Sequence, residues 1–333
     1  MIRPLYRLVE KEVADYVPEA RRVYASDKSY KTSVIEKYTD SKSPRRDVPL
    51  PVKLTFRRIA DRAVITEIGF RKHYFYTFEN SDILEAYDLK TGYGYSYCAF
   101  GKDDVVGDGV FDVADLPRFI KMGNIENVRD IGGWNGLAQG RVYRGSRLNA
   151  DGFLIDEEGK RVFRKQCGIQ TELDLRGETE LKGISSSPVG EDVRWLHRSM
   201  IAYTNLFEPK YKKAAHRAFA VFAVNKNYPI YMHCWGGADR TASVAFILQS
   251  LCGASEEDLA IDFELTSFAV VWGMRTRYDQ APEIGQNYAS MVKILKKKFA
   301  GRTLAKKAEN YLLWLWLSPR QIGKIRDNLT PKD

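Results

Sequence analysis

A short apolar run followed by a helical pattern occupies residues 228–253. Residues 228–232 are mostly large apolar side chains with a proline near the start, which predicts a buried strand. Four apolar residues then fall on one face at helical spacing: Val244, Ile247, Leu248 and Leu251. Gly253 follows them as a stop signal. The sequence therefore predicts a strand, a loop of small residues at 233–241, and a helix that begins at the end of this loop.

The hydrophobic pattern has a period of two between residues 52 and 113. Short alternating or aromatic runs follow one another at 52–56, 63–66, 74–78 and 93–100. Such runs, separated by turn signals, predict a small antiparallel β-sandwich over residues 52–118. Within it, residues 86–97 resemble the late turn and strand of a fibronectin type III domain, an Ig-like sandwich. We expect residues 1–51, which are polar and mixed, to form an N-terminal arm that is partly ordered by packing on its neighbour.

Predicted strands and helices are mixed in the remaining residues, 119–333. Strands are predicted at 169–175 and 193–197, and helices at 209–224, 287–300, 305–317 and 318–326. Ser255, followed by acidic residues, predicts the start of a further helix. In open parallel α/β sheets, ligands bind at the carboxyl ends of the strands. Charged residues at the end of the strand at 169–175 are therefore candidates for a site.

Composition and charge narrow the class of protein. The chain has 333 residues, 44% of them hydrophobic, with a mean hydropathy of −0.39, which is typical of a soluble globular protein with room for one large domain or two ordinary ones. No apolar stretch is long enough for a membrane helix. The net charge of +9 would attract anionic partners. Because no basic-aromatic binding motif accompanies it, we expect a basic solvated surface and no nucleic-acid partner.

The cysteines and the first residues bear on location. The four cysteines are scattered without the spacing of metal ligands, which favours a reducing compartment over a disulfide framework and predicts no metal or other cofactor. The first residues lack the apolar core and cleavage site of a leader, so we expect a cytoplasmic protein. A secreted form whose leader is missing from this sequence stays open.

The loop at 233–241 has the chemistry of an anion cradle. Backbone N–H groups of residues 235–240 can point inward, and the helix N-terminus adds positive potential. Gly236 and Gly237 allow a close backbone approach, and Arg240 can clamp two phosphate oxygens. The same field would lower the pKa of Cys234, which makes it a nucleophile for phosphoryl transfer. The remaining candidates of this loop are His233, which can brace the backbone, Trp235 and Ala238 beside the bound phosphate, and Thr241, which can hydrogen-bond the thiolate.

The pattern His-Cys-x-x-Gly-x-Asp-Arg-Thr at residues 233–241 resembles the signature loop of the cysteine-dependent protein tyrosine phosphatases. It is most similar to the bacterial tyrosine-phosphatase-like group, whose loop carries Asp just before Arg. Further matching segments lie in the same order, among them Asn-x-Arg-Asp-x-Gly-Gly at 127–133 and Asp-Leu-Arg-x-x-x-Glu at 174–180. The resemblance implies an α/β fold over residues 119–333, a tyrosine-phosphatase-like domain with a central mixed sheet flanked by helices.

The resemblance also implies roles for single residues. In the resembling group the Asp beside the Arg is the general acid, which corresponds to Asp239, and no Trp-Pro-Asp acid loop occurs in the sequence. An acid at this position predicts an acidic pH optimum. Asp174 and Arg176 are further candidates at the strand end, with a structural ion pair as the alternative. Asp130 is another, although a turn salt bridge with Arg129 is the preferred interpretation.

Two interpretations stay open for each of several other residues. Arg144 and Arg147 can reach an anionic substrate or lie in solvent. Residues 274–277 can line an entrance, but a solvated charge run is preferred. Trp235 can stack on an aryl phosphate or pack under the loop.

We expect a phosphatase that hydrolyses phosphotyrosine, with broader dual specificity left open. Its partners would be a phosphorylated protein or a small phosphoester, while the partner of the sandwich stays unknown. A lipid or inositol phosphate phosphatase is an alternative, although Ala238 replaces the Lys usual in related loops and removes a charge that suits such headgroups. A phosphate-ester-binding adaptor and a sulfur-transfer or arsenate-handling enzyme are the others. Because Cys234, Asp239 and Arg240 are all present, the sequence favours an enzyme over an adaptor.

Overall fold

A computed structural model describes most of the chain: residues 11–38, 53–58, 64–69, 94–100, 105–112, 116–117, 119–120, 122–269, 274–278 and 287–331. It begins with helix α1, Lys11–Ser26, which lies in the predicted arm. Among the described residues, no helix combines the length and the apolar character that crossing a membrane requires.

A four-stranded antiparallel sheet follows the arm. Its strands are β1 (Lys53–Arg58), β2 (Val64–Gly69), β3 (Gly94–Phe100) and β4 (Val105–Asp112), in the spatial order β2-β1-β3-β4. Three of these strands coincide with the predicted runs at 52–56, 63–66 and 93–100. The predicted run at 74–78 lies outside the described residues. A sandwich needs a second sheet packed on this one, so it stays a prediction.

The central sheet has five strands and is mixed. Its strands are β5 (Arg129–Asp130), β6 (Val142–Gly145), β9 (Thr171–Asp174), β10 (Arg194–His197) and β11 (Ile230–His233), in the order β10-β9-β11-β6-β5; between β6 and β9 lies a two-stranded hairpin of β7 (Asn149–Ala150) and β8 (Phe153–Leu154). All neighbours are parallel except β5 and β6. The register pairs His233 with Asp174 on one side and with Gly145 on the other, so three strand ends meet at one edge.

Helices flank this sheet, which confirms the predicted α/β fold. They are α2 (Glu157–Arg161), α3 (Glu178–Leu181), α4 (Lys212–Phe219), α5 (Arg240–Leu251), α6 (Glu256–Glu264), α7 (Tyr288–Lys298), α8 (Leu304–Trp314) and α9 (Pro319–Leu329). Residues 241–251 of α5 are all buried, as expected of a helix at the centre of a core. The Ser255 side chain caps α6 as predicted. The predicted helix at 209–224 is shorter, because 3₁₀ turns replace its ends around α4.

Helix α1 packs on α6, far along the chain. Its buried side chains belong to the same hydrophobic core as those of α5 and α6: Val13, Tyr16, Val17, Ala20 and Tyr24. The hydroxyls of Tyr16 (2.6 Å) and Tyr24 donate to the buried carboxylate of Glu264 at the end of α6. This part of the arm therefore contributes to the core of the α/β fold.

Candidate active site

The loop at 233–241 joins the central strand β11 to the buried helix α5. Cys234 directly follows the strand and is 3% exposed, while Arg240 begins the helix. Gly237 has φ +69°, and a Cβ there would lie 2.2 Å from the carbonyl oxygen of Gly145. Only glycine fits this position, because a side chain would collide with the neighbouring strand.

The carbonyl groups of the loop are held from outside. Those of residues 234, 235, 236 and 237 accept hydrogen bonds, in that order, from His233 Nδ1 (2.9 Å), the Arg147 N–H (3.0 Å), Asn127 Nδ2 (3.0 Å) and Arg144 Nη2 (2.6 Å). The N–H groups of residues 235–240 have no acceptor within the described parts of the chain. Successive unpaired N–H groups at a helix N-terminus form a nest for an anion. The sequence did not predict that Asn127 and Arg144 brace this loop.

Cys234 has the electrostatic environment of a nucleophile. Burial raises the pKa of Cys234, but the Arg240 guanidinium and the polar hydroxyl and N–H of Thr241 outweigh it, so the pKa lies below that of an ordinary thiol. The buried Thr241 hydroxyl has no hydrogen-bond partner among the described residues, which leaves it available to the sulfur. The thiolate predicted at this position is thus consistent with its surroundings.

Arg240 is held in place by Glu180, which the sequence analysis quoted in a motif but did not select as a site residue. The guanidinium makes a two-pronged ion pair with the Glu180 carboxylate, with one Nη2–Oε1 distance of 2.8 Å. Glu180 also accepts the N–H of Gly177 at the start of α3 (2.6 Å). The Arg240 hydrogen bond lowers the pKa of Glu180, so the pair is ionised at neutral pH. This arrangement orients Arg240 before any anion binds.

Beneath the loop lies a buried cluster of charges. The His233 ring contacts Glu172 (Nε2–Oε1, 3.0 Å) and lies 3.9 Å from Asp174, and all three side chains are fully buried. One donor atom from each lies within 4.8 Å of the others, a spacing that metal ions can use. Arg176, however, binds both oxygens of Asp174 (Nε at 3.0 and 3.1 Å, Nη2 at 2.6 Å). Because Asp174 is already neutralised, the cluster is better described as an ion-pair network than as a metal site.

Asp239, the predicted acid, has two partners that the sequence analysis did not identify. The Tyr203 hydroxyl donates to its Oδ1, and Arg275 donates from Nε to Oδ1 (3.1 Å) and from Nη2 to Oδ2 (3.4 Å). Burial and the charge of Asp239 raise the pKa of Tyr203, which keeps the hydroxyl protonated as a donor. All three contacts are donors, so Asp239 acts as a hydrogen-bond acceptor toward both partners.

The preferred interpretation of residues 274–277 as a solvated charge run is wrong. Arg275 contacts Asp239, and the Ser267 hydroxyl fixes its backbone from both sides (2.8 and 2.9 Å). The Arg277 side chain is buried over the rings of Tyr24 and Tyr30. No local signal marks these arginines, because their partners lie far along the chain.

Both interpretations of Arg144, substrate contact and solvent exposure, are also wrong. Arg144 is fully buried and donates to Asp262 (2.6 Å) as well as to the Gly237 carbonyl. Arg129 binds the same Asp262 (3.0 Å) instead of forming the predicted turn salt bridge with Asp130. Their shared partner comes from α6, so these residues tie the loop to that helix.

The other candidates outside the loop have structural surroundings. The Asp130 carboxylate accepts the N–H of Gly132 (2.8 Å) and of Gly140, which stabilises the chain after β5. Arg176 is fully buried and donates to the Asn149 carbonyl (2.6 Å) as well as to Asp174. Of the three further candidates, Asp174 and Arg176 thus lie in the ion-pair network beneath the loop, and Asp130 lies at the end of β5.

Trp235 and Arg147 lie side by side at the outer side of the loop. The Arg147 guanidinium is 4.4 Å from the centre of the Trp235 ring and 5.0 Å from that of Phe153. Both residues of the stacked pair are half-buried. One face of the Trp235 ring therefore packs on the Arg147 guanidinium in a cation–π contact, and the side chain is only half-buried.

Comparisons with known proteins place the chain in a family. A family model described as the tyrosine phosphatase family matches residues 120–331. A solved structure with similarity is the core catalytic domain of the PP-IP phosphatase SIW14 from S. cerevisiae in complex with citrate, at 16% identity, covering 40% of this chain and 77% of that chain, with a TM-score of 0.29. A comparison with curated proteins finds no match. The matched residues include the whole loop at 233–241 and all five strands of the central sheet.

Proposed function

The chain belongs to the tyrosine phosphatase family, which makes it a phosphoric monoester hydrolase of the cysteine-dependent type, and we propose that it hydrolyses phosphotyrosine through a phosphocysteine at Cys234. One observation supports the proposal above others. A buried cysteine with a lowered pKa lies at the base of a loop whose carbonyls at residues 234–237 are held by hydrogen bonds, so its N–H groups can surround a phosphate.

In the first step, the Cys234 thiolate attacks phosphorus and the bond from phosphorus to the ester oxygen breaks. The N–H groups of residues 235–240 and the guanidinium of Arg240 stabilise the charge on the three equatorial oxygens. Asp239 gives a proton to the leaving oxygen. In the second step, water attacks phosphorus, the sulfur leaves as thiolate, and Asp239 takes the proton from the water.

The contacts of Asp239 fit one half of this cycle directly. Tyr203 and Arg275 both donate to Asp239, and such donors suit the carboxylate that accepts a proton from water in the second step. In the first step it must carry the proton itself, which favours turnover at mildly acidic pH. We therefore propose an acidic pH optimum.

A panel of substrates tests the reaction and the substrate class together. Wild type and Cys234→Ser would be compared on an aryl phosphate, phosphotyrosine and phosphoserine peptides, and phosphoinositides. We expect turnover of the aryl phosphate and of phosphotyrosine peptides, lost in Cys234→Ser while ligand binding is retained, and competition by vanadate in wild type.

Cys252→Ser is the matched control, because burial raises the pKa of Cys252 to about 12 and so keeps it a thiol. Its turnover should equal that of wild type. Faster turnover of phosphoinositides than of phosphopeptides would contradict the substrate class but leave the chemistry intact. Binding without turnover of any ester would contradict the enzyme and favour an adaptor.

Asp239→Asn tests the acid. The variant should lose about 10²-fold or more in turnover of esters with poor leaving groups, and less with a nitrophenyl leaving group, which needs little protonation. Full turnover of both classes would contradict the role of Asp239.

A further inference from the structure

We infer that Glu172 is a positioning residue that keeps the buried His233 in its doubly protonated, positively charged form directly beneath Cys234. This inference rests on the proposed function, since it concerns how the nucleophile of that reaction is kept ionised. Neither the loop pattern nor the matched segments of the sequence draw attention to Glu172.

The first argument is the hydrogen bonding of the ring. His233 Nε2 lies 3.0 Å from Glu172 Oε1, and Nδ1 lies 2.9 Å from the carbonyl oxygen of Cys234. A backbone carbonyl accepts and so does an ionised carboxylate, so opposite Glu172 in its ionised form each ring nitrogen carries a hydrogen. A neutral ring would turn one lone pair toward an acceptor oxygen in a fully buried place, where such a contact is unfavourable.

The second argument is charge balance among the groups that face the ring. From β9 come Glu172 and Asp174, from the strand end Arg176, and from its own segment Tyr231 and Cys234. Arg176 neutralises Asp174 through both oxygens. The Glu172 carboxylate has one hydrogen-bond partner among the described residues, the His233 ring, and its second oxygen has none. The imidazolium is therefore the countercharge of Glu172. Burial lowers the pKa of His233, but Asp174 and Glu172 outweigh it and raise the pKa above its ordinary value.

The consequence concerns the sulfur. A positively charged ring that donates to the carbonyl of Cys234 places a full charge one residue from the thiolate, in a buried region that solvent ions screen little. It adds to the stabilisation from Arg240 and Thr241 at the other side. Glu172 thus acts on the nucleophile through His233, without touching it.

The state of the ring can be measured in the unaltered protein. The chain has four histidines, so ¹⁵N-histidine NMR gives a small set of signals, and loss of one set in His233→Asn identifies that residue. We expect both nitrogens of His233 to be protonated at pH 7. A non-protonated ring nitrogen on His233 at that pH would overturn the inference.

Glu172→Gln tests the effect on the sulfur. The Gln oxygen can still accept from Nε2, so the ring keeps its orientation while the countercharge is removed. The pH dependence of iodoacetamide alkylation at Cys234 reports the thiolate without any need for turnover. We expect its midpoint to rise by about one pH unit, which is about tenfold slower alkylation below the midpoint.

The matched control is Glu264→Gln, another fully buried glutamate, whose partners come from the arm and from residue 277. Its alkylation midpoint should equal that of wild type. An unchanged midpoint in folded Glu172→Gln would overturn this inference and leave the proposed function standing. If wild type hydrolyses no phosphate ester but the midpoint still shifts, the proposed function fails and the role of Glu172 stands. Should Glu172→Gln not fold, the NMR measurement on wild type still decides.

Discussion

Two fully buried glutamates of this protein have surroundings of opposite kinds. Glu172 in β9 faces the imidazole ring of His233 on the neighbouring strand. Glu264 at the end of α6 accepts hydrogen bonds from groups that carry no charge: the hydroxyls of Tyr16, Tyr24 and Ser33 and the N–H of Arg277. The first side chain lies beneath the candidate nucleophile, and the second lies where the arm meets the α/β fold.

The difference shows two uses of a buried carboxylate. Glu172 with its ring forms a charge pair, whose field extends to the loop above it. Glu264 joins three segments that are distant in sequence, namely the arm, α6 and residues 274–278, through donors that only hydrogen-bond. Burial raises the pKa of Glu264 even though four donors oppose this effect. The Glu264 carboxylate, which accepts from hydroxyls, thus links segments of the chain, whereas the Glu172 carboxylate, which pairs with a cation, contributes to the electrostatic field at the loop.

Among the variants that test this comparison, removal of the His233 ring should have the largest effect on the free energy of unfolding. His233→Leu leaves Glu172 buried without its countercharge, so we expect a loss of about 3–5 kcal/mol in the free energy of unfolding, measured with urea. The matched control is His216→Leu, because within the described parts of the chain the His216 ring hydrogen-bonds only a backbone carbonyl (2.8 Å, at Leu315), so this variant should lose about 1 kcal/mol. Equal losses for the two variants would show that Glu172 and His233 do not form a charge pair.

Removing a single hydroxyl should have a smaller effect on the other glutamate. Tyr24→Phe deletes one of four donors to Glu264, and we expect a loss of about 1–3 kcal/mol in the free energy of unfolding. The alkylation midpoint of Cys234 should stay at the wild-type value, since no charge changes beneath the loop. A shifted midpoint in this variant would contradict the separation of the two regions. Tyr38→Phe, whose hydroxyl donates to Glu19 near the surface, is the control and should cost less.

The smallest effects should appear in the pH dependence of stability. The folded pKa of Glu264 is raised, so its contribution to stability is fully present below the unfolded value near 4.5 and is lost as pH rises through the folded value. Wild type should therefore lose stability relative to Glu264→Gln as pH rises above about 4.5. The folded pKa of His233 is also raised, so its contribution starts to be lost only above its unfolded value of 6.5. Urea unfolding at several pH values checks both, and a flat difference for Glu264→Gln would contradict the first.

The parts of the fold that the sequence predicted are those with a local pattern. The strand, loop and helix around Cys234 combine apolar periodicity with Gly237 and Gly253, both of which have positive φ in the structure. The cap at Ser255 is local as well, because its acceptor and donor are three residues apart. These features depend on neighbours in sequence, and so the sequence alone contains them.

The residues that the sequence analysis missed owe their roles to distant partners. In the sequence, Glu172 and Glu180 are ordinary polar residues. Their roles depend on His233 of β11 and on Arg240, which the fold brings next to them. Arg144 was expected to bind substrate or lie in solvent, since a buried arginine is unfavourable unless a partner such as Asp262 is close. No local pattern reveals such a partner.

One missed feature did have a local signal. The buried residues of α1 recur at helical spacing, as Val13, Tyr16, Val17, Ala20 and Tyr24. Pro18 within the helix and the charged neighbours made the segment look like a polar arm. The pattern was enough to predict an amphipathic helix, although not the α6 surface that it covers.

The packing of α1 on α6 determines which residue range of this phosphatase should be expressed. The family model begins at residue 120, whereas α1 ends at Ser26. A fragment trimmed to residues 120–331 would expose to water the hydrophobic surface of α6 that α1 covers. It would also remove all three hydroxyl donors to Glu264. Such a fragment invites aggregation during expression, and adding residues 11–38 back as a separate peptide should restore its solubility.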